Sequence, residues 1–517
     1  MRRPFLIFSL FAFVATFLVR DNPFFWDTVQ LASKHAHFFY GTNFSSLILP
    51  EIMDSGHIPA FGMYLAAVWK FFGKTLPAGH FAMLPFLLGI GCLLLKIGGH
   101  LSKEKKGANT GEWSNEMQPN YAKWLLLLCF TDPVLASQSV LVSPDVVLVF
   151  FFLLGVYVVL LKKTKWLLVL AVIGLGLVSM RGMMAAAGLF LYLLFEPESK
   201  FLSKFDKKKD AVSDAKLSGK TFWEGLKNRF SVSFFIKKLW PFLPGGLLVA
   251  AYLAYHWQAV GWIGYHGGSA WAPSFARVGL QGFIKNIAVL GWRMLDFGRV
   301  AEVLVLVYFG FVVLREKTFW GDENLKRLAL LAACVFLATV PTQLFYKGLL
   351  SHRYLLPFFI SLHLLLFHFL FGGAAGRKFR KPVFAIVILA LLCGNLWVYP
   401  KKISQGWDGT LAHLHWFGLE KEAEKYLKSE GIPYNKVGTA FPNIGPREMI
   451  ELNGAGEGFT EKDLEKNCYV LYSNIMNDFS DSEIDELEKD WQAVFQNEKM
   501  GVCTIVYKNP NPAKCGN

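Results

Sequence analysis

The chain reads as an all-α polytopic membrane protein ending in a small α/β domain, and three observations predict this. Of its 517 residues 53% are hydrophobic, and the mean hydropathy is positive, beyond what a string of ordinary soluble domains carries. Apolar runs recur through the first 400 residues, and the basic residues between them are sorted by loop. After residue 400 the composition turns abruptly polar.

The apolar runs lie at about residues 4–19, 80–97, 123–142, 144–161, 166–180, 183–196, 240–257, 300–314, 326–345, 354–371 and 382–399. Several are shorter than the roughly 20 residues of an untilted span. The two runs flanking Met180-Arg181-Gly182 read either as two crossings or as one broken or re-entrant unit. Arg2 and Arg3 precede the first run. Lys103, Lys105 and Lys106 follow the second, Lys162, Lys163 and Lys165 the fourth, Lys207, Lys208 and Lys209 the sixth, and Arg377, Lys378, Arg380 and Lys381 the tenth. Alternating crossings place all of these in the cytoplasm, where Lys and Arg accumulate. About eleven spans then put the N-terminus inside and the C-terminus outside.

That parity decides how "HIPAFGMYLAAVWKFFG" at 57–73 is read. A full crossing there would turn every later basic loop outward, so it is expected to be an interfacial or re-entrant helix on the outer side. Tyr64 and Trp69 would serve as belt residues, with Lys70 snorkelling. The first run is expected to be retained, since no small-x-small cleavage site precedes Arg20. The formal charge of +14 suggests nucleic acid at first sight, but loop sorting assigns it to the membrane surface instead.

Residues 1–400 thus form the membrane unit, with an outer loop at 20–79 and a lysine-rich cytoplasmic loop at 197–239. Residues 401–517 form an extracytoplasmic α/β domain. In it "GLEKEAEKYLKSEGI" predicts a helix closed by Gly431, "NKVGTAFP", "NCYVLYSN" and "GVCTIVYKN" predict strands, and "SDSEIDELEKD" predicts a helix with a Ser or Asp cap. Of seven cysteines, Cys92, Cys129, Cys334 and Cys393 sit in apolar runs as small hydrophobes. Cys468, Cys503 and Cys515 in the tail permit one disulfide at most, and no spacing suggests a metal site.

The residues that carry chemistry are charges in apolar surroundings. Asp27 opens the outer loop beside Trp26, at the depth of a lipid phosphate. It reads either as a general base for an acceptor hydroxyl or as a cap or interfacial acid paired with Arg20. Glu51, Asp54 and His57 recur every third residue, so one helical turn would gather them as a divalent-metal or sugar-binding cluster. Gly56 and Pro59 favour a turn there instead. Asp145 follows Pro144 at the head of the fourth run and reads either as part of a helix cap or as an acid facing a cavity. Arg181 interrupts an apolar stretch, and Arg353 follows Lys347 and His352. A phosphodiester explains cations at membrane depth more economically than snorkelling does. The loop "GWIGYHGGSAWAPSFARVGL" at 261–280 carries His266 and Trp271, suited either to sugar stacking or to an interfacial belt.

Taken in order, the acid after the first span, "HIP...GMYLAAVWKFFG", "SPD" at the fourth span and the late "HRYLLP" resemble the GT-C fold. The resemblance covers residues 1–400. It is to bacterial glycosyltransferases related to protein O-mannosyltransferases and the lipid A aminoarabinose transferase, a family 39-like group. It implies that Asp27 is the catalytic acid, that Asp145 assists, and that Arg181 and Arg353 approach the donor phosphate. Lys347, His352, His57, His266 and Trp271 would contact substrate, with Glu51 and Asp54 as the metal candidates if a divalent cation takes part. The donor would be a polyprenyl-phosphate-linked sugar and the acceptor an envelope protein, lipid A or glycan. The chemistry would be an inverting displacement on the outer face of a bacterial inner membrane. The family pattern usually has Asp-Glu after the first span, whereas this chain has Asp27-Thr28. Where the family often has His-Pro-Pro, it has His57-Ile58-Pro59. A transporter or lipid flippase competes with this reading, as does an inactive GT-C-like assembly protein. No pair of related halves supports the former, and a transporter does not require the large outer loop and outer domain.

Overall fold

The structure is a computed structural model and describes residues 2–102, 119–196, 235–268, 272–372, 379–403, 407–452, 456–475 and 478–511. Each of the eleven apolar runs contains a helix. These are α1 (Arg2–Val19), α5 (Leu84–Leu101, preceded by the short α4, Leu76–Phe81), α6 (Pro119–Thr131) with α7 (Pro133–Ser139), α8 (Pro144–Leu161), α9 (Lys165–Val178) and α10 (Met180–Phe195). Beyond them come helices Leu243–Val260, Arg299–Arg315, Glu323–Leu344, Leu356–Phe367 and Arg380–Gly394. The chain is therefore a multi-pass membrane protein. Among the described residues five helical segments are each long and apolar enough to cross alone, and a sixth is the bent pair Leu280–Leu295 and Arg299–Arg315, which meet at 93°. The number eleven thus rests on the loop charges rather than on helix length.

Burial orders the bundle. The segments Pro144–Leu161 and His352–Gly372 are 78% and 83% buried and form its centre, whereas Arg2–Val19 is 22% buried. The rim helices turn large apolar side chains outward, among them Leu10 and Phe11 of α1, Leu304 and Phe311 of Arg299–Arg315, and Ile386 and Leu389 of Arg380–Gly394. Only lipid tails make such a surface favourable. Where helices touch closely, small residues stand at the contact: a side chain at Gly188 would meet the backbone of Val335, and one at Gly98 the backbone of Ala122.

Charges inside the bundle are paired. Asp132 breaks the run 123–142 by capping α7, its Oδ1 accepting from the Val134 and Leu135 amides, and Arg299 grips it through two bonds of 2.9 Å. His363 lies 2.7 Å from Glu302 and 3.4 Å from Asp132. On another side Arg327 pairs with Glu196 at 3.0 Å and donates to the Leu160 and Val159 carbonyls. Compensation of this kind is what allows ionised groups to be buried at all.

One expectation is corrected, one helix is an addition, and one group of expectations lies outside the described residues. Segment 57–73 does hold a helix, α3 (Ala60–Phe72), but Trp69 is buried against Phe24, His37 and Tyr40 instead of standing in an interfacial belt. Helix Leu280–Leu295, amphipathic and followed by the bend at Gly298, was not anticipated. Gly298 has φ +82° and lies so close to the Ala390 carbonyl that no side chain fits. The basic loop 197–239 and Lys103, Lys105, Lys106, Arg377 and Lys378 lie outside the described residues, apart from the turn Phe235–Leu239.

The C-terminal region folds as expected in outline. Helix Leu414–Ser429 ends ahead of Gly431, whose φ is +67°. Helix Asp481–Asp490 starts in a full capping box formed by Ser480 and Glu483. The predicted strands are β1 (Val437–Thr439), β3 (Tyr469–Ser473) and β5 (Val502–Lys508); β2 (Thr460–Glu461) and the exposed edge strand β4 (Gln492–Lys499) were missed. The order is β2-β1-β3-β5-β4, parallel across β2, β1 and β3 and antiparallel thereafter. Cys468 and Cys503 are free thiols.

A shared core ties this domain to the bundle. Phe25 and Leu141 pack with Trp407, Trp416, Phe417 and Ile475. The Phe24 amide donates to the Ile450 carbonyl at 2.9 Å, and the Ser33 hydroxyl to the Met449 carbonyl at 2.6 Å. Cysteine labelling of whole cells should reach positions in 401–517 and leave 98–122, 197–239 and 372–381 unlabelled. Labelling of 197–239 from outside would overturn the topology.

Candidate active site

The candidate charges converge because three helices begin at one place. Ser143 caps α8 by accepting from the Asp145 amide, and Ser179, in extended conformation, caps α10 by accepting from the Gly182 amide. The turn His352–Leu355 leads into Leu356–Phe367. Asp145, Arg181 and Arg353 therefore occupy the first turns of three converging helices. Their positive dipole ends favour an anion there.

Asp27 enters from the other direction. Trp26 adopts φ +50°, a left-handed conformation costly for a bulky residue, and a π-helical stretch, Val29–Lys34, follows at once. The strained turn is held by Thr28, whose hydroxyl donates to the Phe25 carbonyl at 2.8 Å and accepts from the Phe25 amide at 2.9 Å. Thr28 is buried, so the position next to the acid here holds the turn and offers no ligand.

At the centre, Arg353 donates to Asp27 and lies 3.1 Å from Asp408 and 3.9 Å from Asp145. Arg181 donates to Asp145 at 2.5 Å. Tyr354 lies beneath both guanidiniums, at 4.4 Å from Arg181 and 5.2 Å from Arg353. His57 reaches the same locus, its Nδ1 3.4 Å from the Met180 amide. Removal from solvent, aided by Arg181 and Arg353, lowers its pKa to about 4, so it is neutral.

Asp408 was not singled out from the sequence. It follows the last bundle helix in the polar stretch "GWDGT", where an acid draws no notice. Its backbone carbonyl accepts from Ser137 at 2.6 Å and Gln138 at 2.9 Å, which fixes it against α7. Burial raises its carboxyl pKa, with Arg353 pulling the other way.

Three carboxylates thus face two guanidiniums in one buried site. Four of their atoms, Asp27 Oδ1, Asp145 Oδ2, Asp408 Oδ2 and Arg353 Nε, make no hydrogen bond within the protein. Arg181, with 13% of its side chain exposed, is more accessible than Arg353 at 4%.

The other sequence candidates lie elsewhere. The turn meant to gather Glu51, Asp54 and His57 does not form, since Gly56 takes φ +72°. Glu51 meets His266 at 3.2 Å, and Asp54 meets His256 at 2.8 Å. No group of three or more His, Cys, Asp or Glu side chains among the described residues is placed to hold a metal. His352 is fully buried and faces away from the cluster, 2.9 Å from Asp296, which also accepts from Tyr399. Lys347 is exposed at the end of Glu323–Leu344, its amide donating to the Ala276 carbonyl at 2.9 Å. Trp271 lies outside the described residues.

No protein-family model matches the chain, and no curated protein does. A crystal structure of ArnT from Cupriavidus metallidurans bound to undecaprenyl phosphate matches over 99% of each chain, at 11% identity and a TM-score of 0.47. At that similarity the match assigns no role to any residue of this chain.

Proposed function

We propose that the protein is a GT-C-like membrane glycosyltransferase that moves a sugar from a polyprenyl-phosphate donor to an envelope acceptor on the extracytoplasmic face. The observation that carries the reading is the meeting of Asp27, Asp145, Arg181 and Arg353 at three helix N-termini. A lipid phosphate needs positive charge where it leaves, and an acceptor hydroxyl needs a base opposite. Helix ends and guanidiniums provide the first, and Asp27, on the loop that descends into the site, provides the second.

In this mechanism the acceptor hydroxyl gives its proton to Asp27 as its oxygen attacks the anomeric carbon. The bond to the phosphate breaks on the opposite side, so the configuration inverts in one displacement. The departing phosphate is already acidic and needs no proton. Its developing charge is stabilised by Arg181, the more accessible guanidinium, together with the N-termini of α8 and α10. Arg353 aims Asp27 and bridges it to Asp408.

Arg181→Ala should fold and reach the membrane while using donor less well. A hydrogen bond to a charged group is worth about 1.5 to 3 kcal/mol, so kcat/KM should fall about ten-fold to over a hundred-fold. Unchanged kinetics would remove Arg181 from the phosphate site. Transfer of labelled sugar from polyprenyl phosphate in membranes separates this reading from that of a transporter, which moves substrate without breaking a bond.

A further inference from the structure

The outer loops of the bundle and the C-terminal domain line a half-open cavity of about 650 Å³, well within the roughly 300–1,000 Å³ of small-molecule sites. Trp26 lines it, one residue from Asp27, and consecutive Cα atoms are only about 3.8 Å apart. The strained backbone at Trp26 turns the ring toward the cavity while Asp27 meets Arg353. Trp26 and Phe441, at 5.2 Å between centroids, offer ring faces and edges from two parts of the chain.

Charge gives the cavity a preference. Its lining includes four carboxylates, Glu51, Asp54, Glu461 and Asp478, against two amines, Lys34 and Lys462. Among the described residues their formal sum, histidines left out, is −2, with Glu51 meeting His266 and Asp54 meeting His256. Lys462 is also held by Glu483 at 2.5 Å, so little positive charge is left to greet an anion. Phosphate groups entering here would meet like charge without compensating cations, which disfavours them strongly. An uncharged sugar would find aromatic surface and abundant acceptors for its hydroxyls.

We propose that this cavity seats the acceptor as an uncharged saccharide, with the C-terminal domain as its outer wall, and that its carboxylates reject phosphate-bearing acceptors. The inference rests on the transferase reading above. It gives the C-terminal domain a part in acceptor binding, because Thr439 to Phe441 at the end of β1, Glu461 on β2 and Asp478 supply one side of the cavity, and the loop carrying Trp26 supplies the other.

The test uses the full-length protein in phospholipid nanodiscs, charged with radiolabelled polyprenyl-phosphate sugars extracted from membranes. Three acceptor fractions are offered in parallel: phosphate-free polysaccharide, bisphosphorylated lipid A-type glycolipid and envelope protein. Slow release of sugar to water is followed without acceptor. Label should enter the polysaccharide at least ten-fold faster than the glycolipid. The double variant Glu461→Lys, Asp478→Lys, with a wild-type melting curve, should narrow that ratio at least ten-fold. Donor hydrolysis with label in the glycolipid, in protein or in none of the fractions overturns the cavity proposal alone, as does an unchanged ratio in the double variant. Neither hydrolysis nor transfer by the wild type overturns the transferase reading and the cavity proposal with it.

Discussion

Asp27→Asn should abolish most sugar transfer in a protein that folds normally and still binds donor. The substitution keeps the shape of the side chain and its contact with Arg353 but removes the base. General-base assistance is typically worth about a hundred-fold to ten-thousand-fold, and a loss of that size is expected in kcat. Charge explains why the fold survives. The cluster of Asp27, Asp145 and Asp408 with Arg181 and Arg353 carries one excess negative charge, and Asn at 27 makes it neutral. Donor binding measured by displacement of a fluorescent polyprenyl phosphate should stay within about two-fold of wild type on the scale where ten-fold is 1.4 kcal/mol. Near-full activity in a well-folded preparation would move the base elsewhere, with Asp145 and Asp408 the next to test.

The second large effect falls on folding. Arg353 is 5% exposed and lies against three carboxylates, so Arg353→Ala leaves acids buried together without their cation. Removing one partner of a buried ion pair costs about 3 to 5 kcal/mol, a large part of the stability of a typical domain. The expected result is low yield and a markedly lowered melting temperature, in contrast to Arg181→Ala at the more open edge. Arg353→Lys restores the charge without the two-pronged fork and should recover much of the yield but little of the activity. Normal yield and melting for Arg353→Ala would show that the acids find other compensation, and would return Arg353 to a direct role at the phosphate.

The sequence singled out charges in apolar surroundings but not how they pair. Asp27, Asp145, Arg181 and Arg353 were legible because each is an isolated charge in apolar surroundings, a costly placement that demands a reason. Their pairing was hidden, since it depends on three helix starts, at Pro144, Met180 and His352, meeting one another and Asp27, which is 326 residues from Arg353. Asp408 lies in a polar stretch and gave no such signal. His352 misled for the opposite reason: its neighbourhood to Arg353 suggests a shared site, but adjacent residues of a turn face different ways, and His352 faces Asp296.

The fold divides in the same manner. Apolar runs marked every central helix, because lipid and core impose the same preference. The amphipathic Leu280–Leu295 has no such run, and β4 is an exposed edge strand whose polar residues resemble a loop. Trp69 has the composition of a belt residue and lies in the core only because the loop around Phe24 and His37 folds over it.

The most direct test of the central claim is the anomeric configuration of product formed by the purified full-length protein from a polyprenyl-phosphate sugar of defined configuration, read by NMR. Single displacement with Asp27 as base predicts a product inverted relative to the donor, formed by the wild type and lost in Asp27→Asn. Retained configuration, or donor that crosses the bilayer with its glycosyl bond intact, would contradict it.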